Sequence, residues 1–337
     1  MSITLDGSTG ITTPTYGGSV SAEYITPVTG FKNRIINGDM RIDQRNAGAS
    51  VTPTVSGTYT LDRWNTNFTQ ASKFSVQQST TSPSGHSNSL AVTSLAATTV
   101  PTGEFFALQY IIEGYNIADF SFGTATAKDI TLSFSVRSSL TGTFGGCITN
   151  GAHDRSYPFT FTISTANTFE QKSVTISGDT AGTWATDNTA GMRLWFGLGV
   201  GDTYSGTAGE WAGATLISAT GATSVVGTSG ATFYITGVQL EKGTTATSFD
   251  YRPYGTELAL CQRYFGIYNA VAVTSANTYS FTLPTTMRAA PTCTTTVNSG
   301  AGSAFSALGG GVSLTAIIQS TANNALATAT VNCNAEL

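Results

Sequence analysis

Residues 234–265 read YITGVQLEKGTTATSFDYRPYGTELALCQRYF. The stretch opens as a strand, crosses a Gly- and Thr-rich turn, passes Pro253 and ends as the one convincing helix signal in the chain. Across 233–240 the apolar phase slips. Phe233 and Ile235 share one face, while Val238 and Leu240 share the other, with Gly237 at the slip. An isolated glycine at such a phase change predicts a β-bulge. Beyond the proline, Leu258, Cys261 and Phe265 fall on one face of a short helix expected over 257–265, with Thr256 as its N-cap. A strand that hands over to a helix among aromatics and arginines marks a joint between two modules. Tyr251, Arg252, Tyr254, Arg263 and Tyr264 are expected to stitch that joint by cation–π and backbone contacts.

Strand patterning surrounds the joint. In ITLSFSV (130–136) Ile130, Leu132, Phe134 and Val136 alternate with polar residues, the signature of a half-buried strand. Phe159, Phe161 and Ile163 alternate likewise, as do Val174 and Ile176. Met192, Leu194, Phe196 and Leu198 do the same and leave Trp195 on the opposite face. Gly/Thr/Asn clusters separate these runs, so an antiparallel sandwich follows, each sheet burying one face. Leu108 to Glu113 carries the one other helical spacing and reads as a short helical turn. After the joint, Tyr279, Phe281 and Leu283 alternate, then Val312, Leu314 and Ala316, then small residues from Ala325 to Cys333. This second β module has a thin core and is expected to pack against other subunits. The organisation expected is a docking arm over 1–32, a sandwich over 33–252, a helical joint over 253–266 and a C-terminal β domain over 267–337.

Charged residues make up only 10% of the 337 residues, while hydrophobic ones make up 40%, ample material for a core. A net charge of -4 and an isoelectric point near 5.1, with no basic run, argue against sequence-independent nucleic-acid binding. No apolar run approaches the roughly 20 residues a membrane span needs. MSITLDGSTGITTP has neither a basic n-region nor an apolar h-region, so synthesis in the cytoplasm is expected. The Thr-, Ser-, Gly- and Asn-rich composition is instead extracellular in character. A virion protein assembled inside a host and released by lysis reconciles the two. Four well-separated cysteines show no CxxC spacing. They read as small buried hydrophobes, although Cys293 and Cys333, both on C-terminal strands, leave a disulfide open.

Three motifs carry a resemblance. NRIINGDMRIDQR (33–45), YTLDRW (59–64) and the QLE-x-G to CQRYF stretch of 234–265 resemble segments of bacteriophage tail-fibre and related virion fibre proteins. The resemblance spans roughly the middle two-thirds of the chain. It implies an all-β fold: a jelly-roll-like antiparallel β-sandwich resembling carbohydrate-binding modules, a short linking helix and a second small C-terminal β-sandwich domain. It further implies a homotrimer on the phage tail, attached to other virion proteins through the N-terminal arm. Adhesion to host cell-surface polysaccharide would be its function. A head-fibre or capsid-decoration protein without a receptor role is the runner-up, and a polysaccharide-degrading tailspike is the third reading.

Catalytic signals are poor. His86 and His153 have no HExxH-like spacing, and no GxSxG elbow, P-loop or dinucleotide glycine motif occurs. His153, Asp154 and Arg155 are consecutive and cannot face one another as a triad must. No enzyme and no cofactor are therefore expected. Asp39 and Asp62 are candidates for a structural calcium. The simpler reading pairs them with Arg41 or Arg63, or has them accept turn N–H groups. Glycan binding calls for an aromatic platform with amides and hydroxyls. The candidates are Trp184, Trp211, Tyr157 and Tyr204, joined by His153, Asp154 and Arg155. Each aromatic taken singly reads first as a lid over the core and only second as a sugar platform.

Overall fold

The computed structural model describes residues 31–272, 283–299, 305–308, 315–318 and 327–337. The docking arm expected over 1–32 lies almost wholly outside them, as do Tyr279, Phe281, Val312 and Leu314. In chain order the sandwich strands begin with β1 (Thr58–Leu61), β2 (Trp64–Phe68), β3 (Phe74–Ser79), β4 (Ser89–Ser94) and β5 (Phe105–Glu113). There follow β6 (Ile130–Ser138), β7 (Gly142–Asn150), β8 (Ser156–Ile163), β9 (Glu170–Ile176) and β10 (Ala190–Val200). Two short strands, β11 (Ser205–Gly206) and β12 (Ser218–Ala219), precede the long β13 (Thr232–Lys242).

These strands form two antiparallel sheets, in the orders β1-β2-β5-β10-β7-β8 and β3-β4-β13-β6-β9. Every sheet neighbour within them runs antiparallel, as expected of a jelly-roll-like sandwich. The alternating residues of β6, β8 and β10 meet in one core, where Phe134, Phe159, Phe161 and Phe196 pack edge to face at 5.0 to 6.3 Å apart, apart from the tilted Phe159–Phe161 pair at 6.5 Å. Such edge-to-face contacts suit the ring quadrupoles.

The helical turn read at 108–113 is instead part of β5. Leu108, Tyr110 and Ile112 face the core, while Ala107 and Ile111 are buried on the other side. A strand covered on both faces loses its alternation, so periodicity could not identify it.

The bulge falls where the phase slipped. Pairing of β13 with β6 shifts between Thr236 and Gln239, and Gly237 sits at φ +61°. The bulge frees the Val238 backbone from the ladder, and the turn at Asn37–Gly38 uses it. Val238 N–H donates to Gly38 O at 2.9 Å, and Asn33 Nδ2 donates to Val238 O at 3.1 Å.

The joint helix α1 spans Tyr254–Gln262, earlier than the 257–265 expected. Pro253 is its cap residue, and no side chain caps it. A proline at a helix entry loses no hydrogen bond there, which explains the earlier start. Glu257 therefore lies in the first turn and turns inward. It accepts the Asn37 N–H and pairs with Arg252 at 3.3 Å. Phe265, expected on the helix face, opens the next strand, and the Arg45 guanidinium lies 3.6 Å from its ring centroid. Cys261 and Tyr264 pack against Ile36 and Ile42.

Among the joint residues, Arg252 donates to Ile35 O at 3.2 Å and Arg41 stacks over Tyr251 at 4.4 Å. Arg263 and the Tyr264 hydroxyl both reach Glu113 at 2.7 Å. Tyr254 is exposed.

Beyond the joint lie β14 (Phe265–Ala272), β15 (Thr292–Ser299), β16 (Phe305–Leu308), β17 (Thr315–Ile318) and β18 (Ala327–Asn334). A three-stranded antiparallel sheet, β14-β18-β15, accompanies a β16–β17 pair. Cys293 and Cys333 are direct cross-strand partners with unbonded thiols. The chain returns to the sandwich through Glu336, whose carboxylate pairs with Arg63 and, at 3.0 Å, with Arg45.

Candidate functional site

The loops from β5 to β6 and from β9 to β10 meet at one end of the sandwich. Trp184 comes from the second loop and Trp211 from the segment after β11. Their rings cross at 87° with centroids 5.5 Å apart. Phe122 meets Trp184 at 4.8 Å, and Tyr157 meets Trp211 at 5.2 Å. Arg155 stands 6.0 Å over Trp211 and grips the buried Asp179 with two hydrogen bonds of 2.7 and 2.8 Å. Both indole N–H groups are spent on backbone: Trp184 on Ala181 O at 3.2 Å, Trp211 on Ser177 O at 2.7 Å. Trp184 is only 8% exposed. These tryptophans thus close the core in the manner of a lid.

Of the residues expected to share a glycan site, Trp184, Trp211, Tyr157 and Arg155 come together. Asp154 is exposed and accepts from Asn150 Nδ2 at 2.5 Å. His153 and Tyr204 lie on the outer face of the six-stranded sheet instead. His153 packs on Trp195 at 5.6 Å, and Tyr204 meets Phe105 edge on at 5.0 Å. Strand parity decides this, since Phe105 and Trp195 point away from the sandwich core. Burial and the nearby Arg193 push the His153 imidazole down to about 4, which keeps it neutral.

Beside Trp184 the loops enclose a cavity of about 300 Å³. Ile117, Phe122 and Trp184 form its apolar wall, and Ser121, Thr124, Thr126 and Thr186 bring hydroxyls. None of its lining residues is acidic. The neighbouring carboxylates are engaged: Asp119 with Arg34 and Lys242, Asp179 with Arg155, and Asp187 with Thr189. Chemically the cavity can take a small polyhydroxylated group, its ring against the aromatic wall and its hydroxyls on the threonine rim. The cavity itself could not be read from the sequence, because its walls come from two separated loops. A second cavity, about 370 Å³ near Val100 and Val200, has no aromatic in its lining.

The two calcium candidates hold structural roles. Asp39 pairs with Arg41. Asp62 accepts the backbone N–H and the side-chain amide of Gln44, both at 2.7 Å, and burial pushes its carboxyl up to about 6. Arg63, offered as its partner, pairs with Glu336 instead. Among the described residues no group of three or more His, Cys, Asp or Glu is placed to hold a metal.

No family model matches the chain, and no curated protein is significantly similar to it. Solved structures with related strand arrangements exist. One is the enzymatically active domain of bacteriophage CBA120 tailspike protein 4, 12% identical over 63% of this chain and 22% of that one, with a TM-score of 0.34. Another is the family 11 carbohydrate-binding module from Clostridium thermocellum in complex with a mixed-linked tetrasaccharide, 10% identical over 58% of this chain and 98% of that one, TM-score 0.31. A third is the N-terminal cellulose-binding domain of Cellulomonas fimi β-1,4-glucanase C, 13% identical over 50% of this chain and 85% of that one, TM-score 0.25. Overlays this loose carry no functional argument. The architecture rests on the sheet pairing of the chain itself.

Proposed function

We propose that this chain is a phage virion fibre protein that holds host-surface glycan without cleaving it. The observation that carries the reading is the cavity beside Trp184: an aromatic wall facing a rim of hydroxyls, with no acidic residue in its lining. Its volume of about 300 Å³ suits one sugar unit rather than a long chain segment. Hydrolysis of a glycosidic bond needs two carboxylates facing each other across the substrate, and the acids nearest this cavity are tied up in ion pairs and turns. A single small cavity gives weak binding, so assembly as a homotrimer would supply the avidity that adhesion needs. The resemblance of residues 33–45, 59–64 and 234–265 to tail-fibre segments supports the virion setting.

Filling the cavity tests the site without emptying the core. Ala118 lines the cavity and is exposed, so Ala118→Trp should keep the fold and abolish retention on host envelope polysaccharide. Unchanged retention in a folded variant would sink the site assignment. Release of reducing ends from that polysaccharide would sink the non-catalytic reading.

A further inference from the structure

The outer face of the six-stranded sheet holds an arginine treated unlike the others. Arg193 projects from β10 on the same side as Trp195. It lies opposite Ile111 of β5 and Thr149 of β7. Every other arginine of the chain either meets a carboxylate or donates to backbone carbonyls at 3.1 Å or less. Arg193 makes one long contact, Nε to Gly151 O at 3.4 Å, and no ion pair among the described residues. Yet it is largely covered, and burial holds its guanidinium below the usual arginine range. A covered cation without a counter-ion is costly, and proteins rarely keep one without a purpose. His153 and Tyr59 are the titratable groups that face it, and neither bears a negative charge at neutral pH.

The surroundings indicate what the counter-ion belongs to. Trp195 and His153 pack beside Arg193, with the indole N–H given to Thr149 Oγ1 at 3.3 Å. Diagonally across the sheet stands a ladder of amides. Asn67 Nδ2 donates to Asn65 Oδ1 at 2.7 Å and to Gln109 Oε1 at 3.0 Å. Gln109 is 3% exposed, and its amide nitrogen finds no acceptor among the described residues. A guanidinium, a spare amide donor and an aromatic pair on one sheet face suit a ring that carries both hydroxyls and a carboxylate.

We infer that Arg193 anchors the carboxylate of an acidic saccharide, a uronate-type unit, on the outer face of the six-stranded sheet. The site is separate from the cavity beside Trp184, and it rests on the same saccharide-adhesion reading. Arg193 binds the carboxylate through charge-assisted hydrogen bonds, and Gln109 donates to an adjacent ring oxygen.

The test is titration of the full chain with oligogalacturonate and with the same oligomer methyl-esterified at its carboxyls. The acid form should bind, and the ester at least tenfold more weakly. Arg193→Gln should lower affinity for the acid form about tenfold or more, and Arg193→Lys by less. Equal binding of acid and ester overturns the inference using wild-type protein alone, even if a variant fails to fold. So does wild-type affinity in Arg193→Gln. Competition by poly-glutamate as strong as by the acid oligomer would assign the face to protein carboxylates and overturn the saccharide assignment. Failure of the cavity reading would show separately, as retention on host polysaccharide that Ala118→Trp does not disturb.

Discussion

Asp62 should contribute stability as the medium is made mildly acidic. Asp62 directly follows β1, and its carboxyl accepts two hydrogen bonds from Gln44 and is buried, which pushes it from 3.8 to about 6. The folded protein therefore binds this proton more tightly than the unfolded chain does. The stabilisation is complete below the unfolded value near 4, declines as pH rises toward 6 and is gone above it. A shift of about two pH units corresponds to about 3 kcal/mol at most. Burial of Glu257 raises its carboxyl too and adds in the same direction, while Glu170 and Asp187, lowered by their hydrogen bonds, and His153 and His86, lowered by burial, act oppositely. A double difference isolates Asp62. Unfolding free energies from urea titrations at pH 4 and pH 6.5 would be compared between the wild type and Asp62→Asn. The wild type should gain about 2–3 kcal/mol more than the variant on acidification. The Asn side chain costs a fixed amount, because one of its two ends opposes a Gln44 donor, but that cost cancels between the two pH values. Identical pH slopes in the two proteins would refute the reasoning.

Three further predictions concern the β13 bulge and the joint. A Cβ on Gly38 would stand 2.2 Å from Val238 O, a backbone atom fixed by the bulge, so Gly38→Ala should cost more than about 3 kcal/mol and abolish soluble expression. Tyr264→Phe removes the hydroxyl held 2.7 Å from the buried Glu113 and should cost about 1–2 kcal/mol by thermal melting. Tyr254→Phe, at an exposed ring in the same segment, should change stability by less than about 0.5 kcal/mol.

The strands whose two faces differ were legible in the sequence. β6, β8 and β10 alternate because one side meets the aromatic core and the other does not. The slip at Gly237 was legible for the same reason, since a bulge leaves a mark in the apolar phase. β5 was not, because the core covers one face, while the 201–220 segment covers one end of the other at Ala107 and the joint covers its far end at Glu113. The helix start was misplaced because Glu257 looks like a solvent-facing acid, and only the fold brings Asn37 and Arg252 to it. At the candidate site, composition and loop position picked out Trp184, Trp211, Tyr157 and Arg155 as a group. Tyr204 and His153 were assigned wrongly to that group because nearness in loops says nothing about which side of a sheet a loop crosses. Arg193 could not be singled out, because whether an arginine lacks a counter-ion depends on every other chain segment near it.

The C-terminal module leaves the sandwich at Phe265 and comes back at Asn334, and these two residues are direct partners on neighbouring strands. A segment whose entrance and exit lie side by side closes its loop locally, whatever its length, and closure entropy grows only slowly with added residues. Arg63 and Arg45 then hold the returning end through Glu336. The sandwich and the joint thus fix both ends of the intervening segment, so its length can change with little rearrangement of the residues that hold them. Such an arrangement lets the segment between those two strands vary while everything before it in the chain keeps its contacts.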